Sequence, residues 1–311
     1  MLKLKKMFSL IKKPRKIIKK LGAKGVFNFM DDKTYLKLVY WGETGKRLDL
    51  KNPLTFNEKL QWLKLYDRKP EYSIYVDKFE VRKYITETIG EDFLIPLIGV
   101  YKSVDDILWN ELPKRFVIKC THGSGSNIIC WDKDNLNIKK AKKKLNKWMK
   151  KSWYWFGREW PYKAVKPRII IEEYMTDETG IQLKDYKIFC FNGEPKLIQV
   201  DFDRFIDHKR NLYTIDWEYI NARIAYPNCA NILIPKPKSL DKMLDIARKL
   251  SKNIPHVRVD LYSVEDKIYF GEMTFFHGSG FEQFEPESFA RKMGEWIKLP
   301  NIERMSDSRD K

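Results

Sequence analysis

Residues 257–274 read VRVDLYSVEDKIYFGEMT, two short runs joined around Val264–Asp266. Each run is expected as a β-strand, and the tight connection as a hairpin that lays them side by side. Residues two apart on a strand share a face. Arg258 and Asp260 therefore share a face of the first strand, and Glu272 and Thr274 a face of the second. The hairpin brings Asp260 next to Glu272. Two carboxylates that close repel unless a cation separates them. The pair is suited to hold Mg²⁺ through hard oxygen donors, with a nucleotide's phosphates filling the remaining positions. Arg258 can then offset charge on a transferring phosphoryl group. The alternative is a pair of solvent-facing acids on an edge hairpin.

Upstream, the pattern mixes helices with short hairpin strands. Thr55 followed by Glu58 reads as a capping box opening a helix through Tyr66, and Asp77 opens a second helical run ending at Gly90. Residues 94–101 read as a strand that Pro96 places at an edge or bulge, followed by a brief acidic helix over 103–110. Residues 115–120, 127–131, 168–174 and 184–191 are expected as strands. Asn192-Gly193 marks a hairpin turn into 195–201, and residues 238–252 form an amphipathic helix. The chain lacks the βαβ rhythm of a parallel sheet, so the expected class is α+β with mainly antiparallel sheets. No GxGxxG follows a strand and no GxxxxGK[ST] occurs, which removes Rossmann and Walker nucleotide sites.

Composition bounds the partners. The 311 residues are 43% hydrophobic, enough for a sizeable core, and carry a formal net charge of +18. Such a charge favours an anionic partner: a nucleotide, an acidic glycan, an anionic membrane or nucleic acid. The basic, aromatic stretch 139–155 fits a polyanion, but no nucleic-acid-binding module appears, so nucleic acid is not expected. Cys120, Cys130, Cys190 and Cys229 have no CxxC spacing, and the four histidines are dispersed, so neither a disulfide framework nor a zinc site is expected. Reduced thiols suit a cytoplasmic setting.

Two further groups can carry chemistry. Lys119 ends an apolar strand and precedes His122–Asn127 (HGSGSN). Gly123 and Gly125 permit tight bends that converge backbone N–H groups on an anion, and Ser124 and Ser126 add hydroxyls. The alternative is a glycine-rich hairpin beside a snorkelling lysine. Glu172-Glu173-Tyr174 ends the strand after Ile169–Ile171, and alternation turns one glutamate inward, where it can accept from an adenine amino group or a ribose hydroxyl. The polar block Asp201, Asp203, Arg204, His208, Lys209 and Arg210, and the Gly278–Gly280 turn, can line an acceptor site or be ordinary loops.

These groups, in this order, resemble the ATP-grasp fold. Residues 48–300 more closely resemble the TupA-like ATP-grasp family, linked to teichuronopeptide and surface-polysaccharide biosynthesis. The resemblance rests on NPLTFNEKLQWLKLYDR, LPKRFVIKCTHGSGSNIIC, GREWPY, PRIIIEEY, DYKIFCFNGEP and VRVDLY followed by KIYFGEMTFFHGSGFEQF. It implies an ATP-grasp fold and an ATP- and Mg²⁺-dependent carboxylate–amine ligase acting through an acylphosphate. Lys119, Ser124, Gly125, Ser126, Glu172, Glu173 and Lys187 would bind the nucleotide. Arg258, Asp260 and Glu272 would act with Lys119 in catalysis, and Asp260, Glu272 and Thr274 would hold the metal. Thr274 departs from the family's Glu-x-Asn, a hydroxyl being a weaker donor than an amide oxygen. The implied substrates are an acidic or lipid-linked glycan acceptor and an amino acid or other amine, in capsule or cell-envelope polysaccharide synthesis. A metal-dependent glycosyltransferase is the enzymatic alternative, with Asp201-Phe-Asp203 as its DxD-like pair. The implied organisation is a basic segment over 1–47, a helical substrate-side region over 48–115, a nucleotide-binding lobe over 116–175, a catalytic and metal-binding lobe over 176–300 and a polar tail over 301–311.

Residues 1–25 hold ten Lys or Arg and no acid, interspersed with Leu2, Leu4, Phe8, Leu10, Ile11, Ile17 and Ile18. No apolar run reaches the length of a membrane span. The segment is either a solvated tail or an amphipathic stretch lying on an anionic bilayer, the latter placing the protein on the inner face of the cell membrane. Each basic residue near such a surface contributes about 1 kcal/mol, screened by salt. On the membrane reading, deleting residues 1–20 sharply lowers flotation with phosphatidylglycerol vesicles at low salt. Unchanged flotation would leave a solvated tail.

Overall fold

The computed structural model describes residues 14–176, 185–202, 207–232 and 234–301. Most of the basic start (1–13), Asp203, Arg204 and the tail from 302 lie outside the described residues. Two helices open the described chain, α1 (Pro14–Ala23) and α2 (Asp32–Thr44). Asp31 caps α2 by accepting from the Thr34 N–H at 3.0 Å. Tyr35, Leu36, Val39 and Tyr40 of α2 are buried against Leu48 and Phe281. Residues 32–44 therefore pack on the folded body, whereas the sequence reading grouped them with a basic leading segment.

The capping box at Thr55 is present, and α3 (Phe56–Tyr66) follows it. Two short helices come next, α4 (Glu71–Val76) and α5 (Val81–Thr88). The brief acidic helix expected over 103–110 is instead two single 3-10 turns.

A four-stranded antiparallel sheet has the order β1 (Leu97–Tyr101), β4 (Ile169–Glu173), β2 (Phe116–Cys120), β3 (Asn127–Cys130). β1 is the edge strand expected from Pro96, with an irregularity between Leu97 and Gly99. This sheet thus draws one strand from before residue 116. Helix α6 (Ile138–Met149) turns Ala141 and Leu145 into the core beneath it, and the short α7 (Tyr154–Gly157) leads back towards α2.

The second sheet has six strands, named here in chain order. They are β5 (Asp185–Phe191), β6 (Glu194–Phe202), β7 (Lys209–Tyr213), β8 (Tyr219–Ile220), β10 (His256–Val264) and β11 (Lys267–Thr274). Their spatial order is β11-β10-β5-β6-β7-β8, antiparallel throughout. β9 (Arg223–Ile224) pairs separately with β12 (Phe284–Glu285). Helix α8 (Leu240–Ser251) packs its face of Leu240, Met243, Leu244, Ala247 and Leu250 across β5, β6 and β10. α9 (Glu287–Trp296) packs on α3. The other face of the sheet is polar at one end and is covered at the other by Phe56 of α3, whose ring lies 4.9 Å from that of His256.

Helix α3 faces the core with more than its apolar residues. Asn57, Gln61 and Lys64, spaced by four and three, form a second stripe that is polar and buried. Gln61 Nε2 donates to the carbonyls of Ser279 at 3.0 Å and Gly280 at 2.9 Å. Lys64 Nζ donates to the carbonyls of Gly157 at 2.6 Å and Ser279 at 2.8 Å, and to Gln61 Oε1 at 3.0 Å. Burial pushes the Lys64 ammonium down to about 7, against the pull of Glu159 and Asp32. Glu159 in turn accepts from the Ser279 hydroxyl. Lys64→Met is expected to lower the unfolding free energy by about 3 kcal/mol, because it strands buried carbonyls and an acid. Adding Glu159→Gln should recover part of the loss. Chemical denaturation of both variants measures it, and independent, additive losses would contradict the coupling.

Candidate active site

The polar end of the large sheet is built by strand register. Asp260 lies directly opposite Glu272 on β11 and Lys187 on β5, while Arg258 lies opposite Thr274. A bulge at Asp260/Leu261 leaves Gly271 as the extra residue next to Glu272. Arg258 is the hub. Its Nε and one terminal nitrogen clasp Asp260 Oδ1 and Oδ2 at 2.6 and 2.7 Å. The same terminal nitrogen reaches Thr274 Oγ1 at 3.1 Å and Glu272 Oε1 at 3.3 Å. Lys187 Nζ donates to Asp260 Oδ2 at 2.6 Å and also to Asp185. Burial pushes the Asp260 carboxyl up, but Arg258 and Lys187 oppose it, and a two-point guanidinium clasp requires the ionised acceptor. For Glu272, burial is outweighed by Lys78, Arg258 and Lys187, which hold it at about 2.

Arg258 also fixes a histidine. Its other terminal nitrogen is 2.5 Å from His277 Nδ1. Guanidinium can only donate, so Nδ1 is the acceptor and the imidazole proton sits on Nε2. That nitrogen is 2.6 Å from Glu282 Oε2. Burial lowers the His277 pKa despite Glu282, so the ring is neutral at pH 7. His277 opens the turn in which Gly278, Ser279 and Gly280 all have positive φ. The polar stripe of α3 holds that turn in place.

The small sheet supplies the opposite wall. Lys119 Nζ donates to Glu172 Oε2 at 2.6 Å, and Arg82 from α5 approaches Glu172 Oε1 at 3.4 Å. Lys78 joins the walls: its Nζ donates to the Gly123 carbonyl at 2.6 Å and lies 3.6 Å from Glu272 Oε2. Leu94, Phe270 and Gly271 complete the crevice, in which these ion pairs leave only about 10 Å³, room for about one water.

The structure thus brings Lys119, Glu172, Lys187, Arg258, Asp260, Glu272 and Thr274 to one crevice and the sheet face beside it. Glu172 points inward and Glu173 is exposed. Ser124 and Gly125 lie exposed at the loop tip, while Ser126 is buried with its Oγ unpartnered among the described residues. A Cβ on Gly123 would lie 1.8 Å from the Trp153 indole nitrogen, so the loop can pass there only with glycine. Asp201 is tied up elsewhere, accepting from Arg210 Nε at 2.7 Å and Gln199 Nε2 at 3.1 Å. Sequence reading missed Lys78, Arg82, His277 and Glu282. Lys78 had a local signal in Asp77: the Asp77 carboxylate accepts from the Phe79 N–H at 2.8 Å and from Arg168 at 2.7 Å, anchoring the residue beside it.

The donor set can be tested against Mg²⁺. Asp260 and Glu272 offer adjacent carboxylates and Thr274 a hydroxyl, all hard oxygens. Among the described residues no three His, Cys, Asp or Glu side chains converge as a metal cage. Two carboxylates plus substrate phosphates and water is a usual Mg²⁺ arrangement, so the donor types fit the ion, and since Arg258 bridges the two acids and Lys187 holds Asp260, a metal there would take the place of some of those bonds. Thr274 already donates to Glu272 Oε1 at 3.2 Å, which ties the hydroxyl to the carboxylate pair.

No curated protein matches the chain. Solved structures similar to it include D-alanine–D-alanine ligase from Bacillus anthracis complexed with ATP (16% identity, 65% of this chain and 54% of that one, TM-score 0.38). The D-alanine–D-alanine ligase from Helicobacter pylori is 13% identical over 78% of this chain and 69% of that one, TM-score 0.40. Biotin carboxylase from Campylobacter jejuni is 13% identical over 74% and 48%, TM-score 0.39. The chain spans about half the length of the first of these, 54%. The family model described as TupA-like ATPgrasp matches residues 58–298, most of the chain. The protein therefore belongs to the TupA-like ATP-grasp family.

Proposed function

We propose that this protein is an ATP-dependent carboxylate–amine ligase that joins an amino acid or other amine to a uronic-acid carboxylate of a cell-envelope glycan or its lipid-linked precursor. The observation that carries the reading is Lys78, which touches both the glycine loop after β2 and the acid Glu272. A triphosphate running from that loop to the Asp260–Glu272 pair passes three cations, Lys119, Lys78 and Arg258. The uronate part rests on the family's link to acidic surface polymers and on the net charge of +18.

The chemistry follows from charge placement. An acceptor carboxylate oxygen attacks the γ-phosphorus of ATP, the bond to the β-phosphate oxygen breaks, and an acylphosphate and ADP form. The amine nitrogen then attacks the acyl carbon, phosphate leaves with the electron pair of the C–O bond, and the amine loses a proton. Neither step needs a protein nucleophile. Lys119 and Lys78 offset phosphate charge, and Arg258 donates to oxygens where charge grows. Mg²⁺ held by Asp260 and Glu272, when bound, supplies further charge neutralisation at the phosphates. The crevice is filled by Lys119–Glu172–Arg82, so the nucleotide enters as these pairs exchange partners: the cations turn to phosphate, and Glu172 to a nucleoside donor.

No helix among the described residues is long and apolar enough to cross a membrane. The peripheral, inner-face location remains part of this proposal and rests on the basic segment 1–25.

Two sets of variants test the reading. Lys119→Ala should weaken ATP binding about tenfold or more with the fold intact, a charged hydrogen bond being worth that much. Equal affinity by calorimetry would remove Lys119 from the nucleotide site. Glu272→Gln should cut Mg²⁺-dependent, acceptor-stimulated ADP release on the order of 100-fold or more, and affect ATP affinity far less. Thr274→Asn should keep turnover, since an amide oxygen replaces the hydroxyl. Near-parent turnover in Glu272→Gln at ordinary Mg²⁺ would overturn the role of the hairpin.

A further inference from the structure

The connection between α1 and α2 is a run of hydrogen-bonded turns over residues 21–30. Its apolar residues divide by spacing. Phe27 and Met30, three apart, pack on the core of α2. Val26 and Phe29, offset by one residue and again three apart, are left 48% and 82% exposed. The turn is held from beneath. One terminal nitrogen of Arg158, an almost wholly buried side chain, donates to the carbonyls of Phe27, Asn28 and Met30 at 3.3, 3.3 and 3.2 Å. Phe29 is therefore presented outward on a fixed backbone.

Arg158 joins a second exposed pair to the first. Its guanidinium lies 4.9 Å from the centre of the Trp155 ring in α7. The Phe156 carbonyl accepts from the Tyr35 hydroxyl of α2 at 2.9 Å. Trp155 and Phe156 are 38% and 42% exposed. Four large apolar side chains, from segments far apart in sequence, thus share one clasp and open to solvent. Cations edge them. Lys20 and Lys24 precede the turn, Lys33 follows it in α2, and Lys150 and Lys151 lead into α7. All five are exposed, without an ion-pair partner among the described residues. The neighbouring acids are engaged within the protein: Asp31 caps α2, and Asp32 meets Arg68, Arg158 and the Tyr154 hydroxyl. Apolar groups at the centre with lysines around them suit the boundary between lipid headgroups and acyl chains. The same lysines oppose a second copy of the chain, since a two-fold contact would set like charges face to face.

We infer that this patch docks the folded body on an anionic phospholipid bilayer, with Val26, Phe29, Trp155 and Phe156 entering the boundary and the five lysines resting on lipid phosphates. The inference shares the peripheral location with the proposal above but not its grounds. The apolar groups all lie outside residues 1–25, and the ligase reading is not needed. The two kinds of contact respond differently to salt. Lysine contacts are screened, whereas burial of apolar side chains is not. Binding therefore has a salt-resistant part that depends on the four apolar side chains. Because Arg158 already holds the turn, little order has to be gained on docking.

The experiment is flotation of the full-length protein with vesicles of phosphatidylglycerol and phosphatidylcholine, at low and at high salt. Phe29→Ser should lower the partition coefficient about tenfold or more at both salts, the loss of one buried phenyl group. Phe29→Trp should keep the parent level. Lys24→Gln with Lys33→Gln should weaken binding at low salt and leave the salt-resistant part unchanged. All three are exposed positions that leave the core alone. Absence of flotation by the parent, or equal flotation of the parent and Phe29→Ser, overturns the inference. If deleting residues 1–20 abolishes flotation while Phe29→Ser floats like the parent, the leading segment is the anchor and the patch is removed. Light scattering covers the remaining occupant. A parent dimer that Phe29→Ser dissociates, with flotation unchanged, would assign the patch to a second copy and overturn the inference as well.

Discussion

A buried guanidinium organises this protein. Arg258 is 7% exposed. Its side chain lies on the polar face of a sheet whose opposite face is packed on α8. An unpaired charge there would cost several kcal/mol, so the guanidinium must be paired. Asp260 takes two of its bonds, Glu272 and Thr274 share a third direction, and His277 takes the fourth. The elements that carry those acceptors are thereby placed. β11 must pair in a single register with β10, because a one-residue slip would turn Glu272 and Thr274 to the apolar side. The 277–280 turn must bring an imidazole nitrogen back over the sheet.

Such a turn does not hold itself. All three residues 278–280 have positive φ, which the two glycines adopt freely but which strains Ser279 between them. Helix α3 holds the turn through Asn57, Gln61 and Lys64, which donate to carbonyls from Ser279 to Glu282. Glu159 holds the Ser279 hydroxyl from the other side. The GREWPY segment and the HGSG turn, far apart in sequence, are therefore one structural unit. Arg158 extends it, bonding the carbonyls of Phe27, Asn28 and Met30 and tying the α1–α2 connection to the same centre.

The two walls of the crevice are alike in their electrostatics. Each carries a cation paired with an acid, Lys119 with Glu172 and Arg258 with Asp260. Lys78 belongs to neither sheet and contacts both walls, the glycine loop on one side and Glu272 on the other.

Local patterns in the sequence determined much of this. Strand alternation put Arg258 with Asp260 and Glu272 with Thr274, and the short turn made them neighbours, because both rules depend only on residues close in the chain. The α8 face, the Thr55–Glu58 capping box, the edge character of β1 and the inward turn of one of Glu172 and Glu173 follow from equally local causes. The connection at 264–266 tightened to a two-residue turn with positive φ at Glu265 and Asp266, leaving Val264 paired with Lys267. What tertiary structure alone decided lies across long separations. Lys78 meets Glu272, Lys64 meets Ser279, and Asn57 meets Glu282. The polar stripe of α3 looks in sequence like an ordinary solvated helix face, since Asn, Gln and Lys are normally outside. Only the folded chain reveals that buried carbonyls of a distant turn await those donors, and an unsatisfied buried carbonyl is costly enough to draw them in. The docking of residues 32–44 stayed hidden for a similar reason: their apolar face, Tyr35 and Leu36 among it, is plain in the sequence, but its partner Phe281 lies at the far end of the chain.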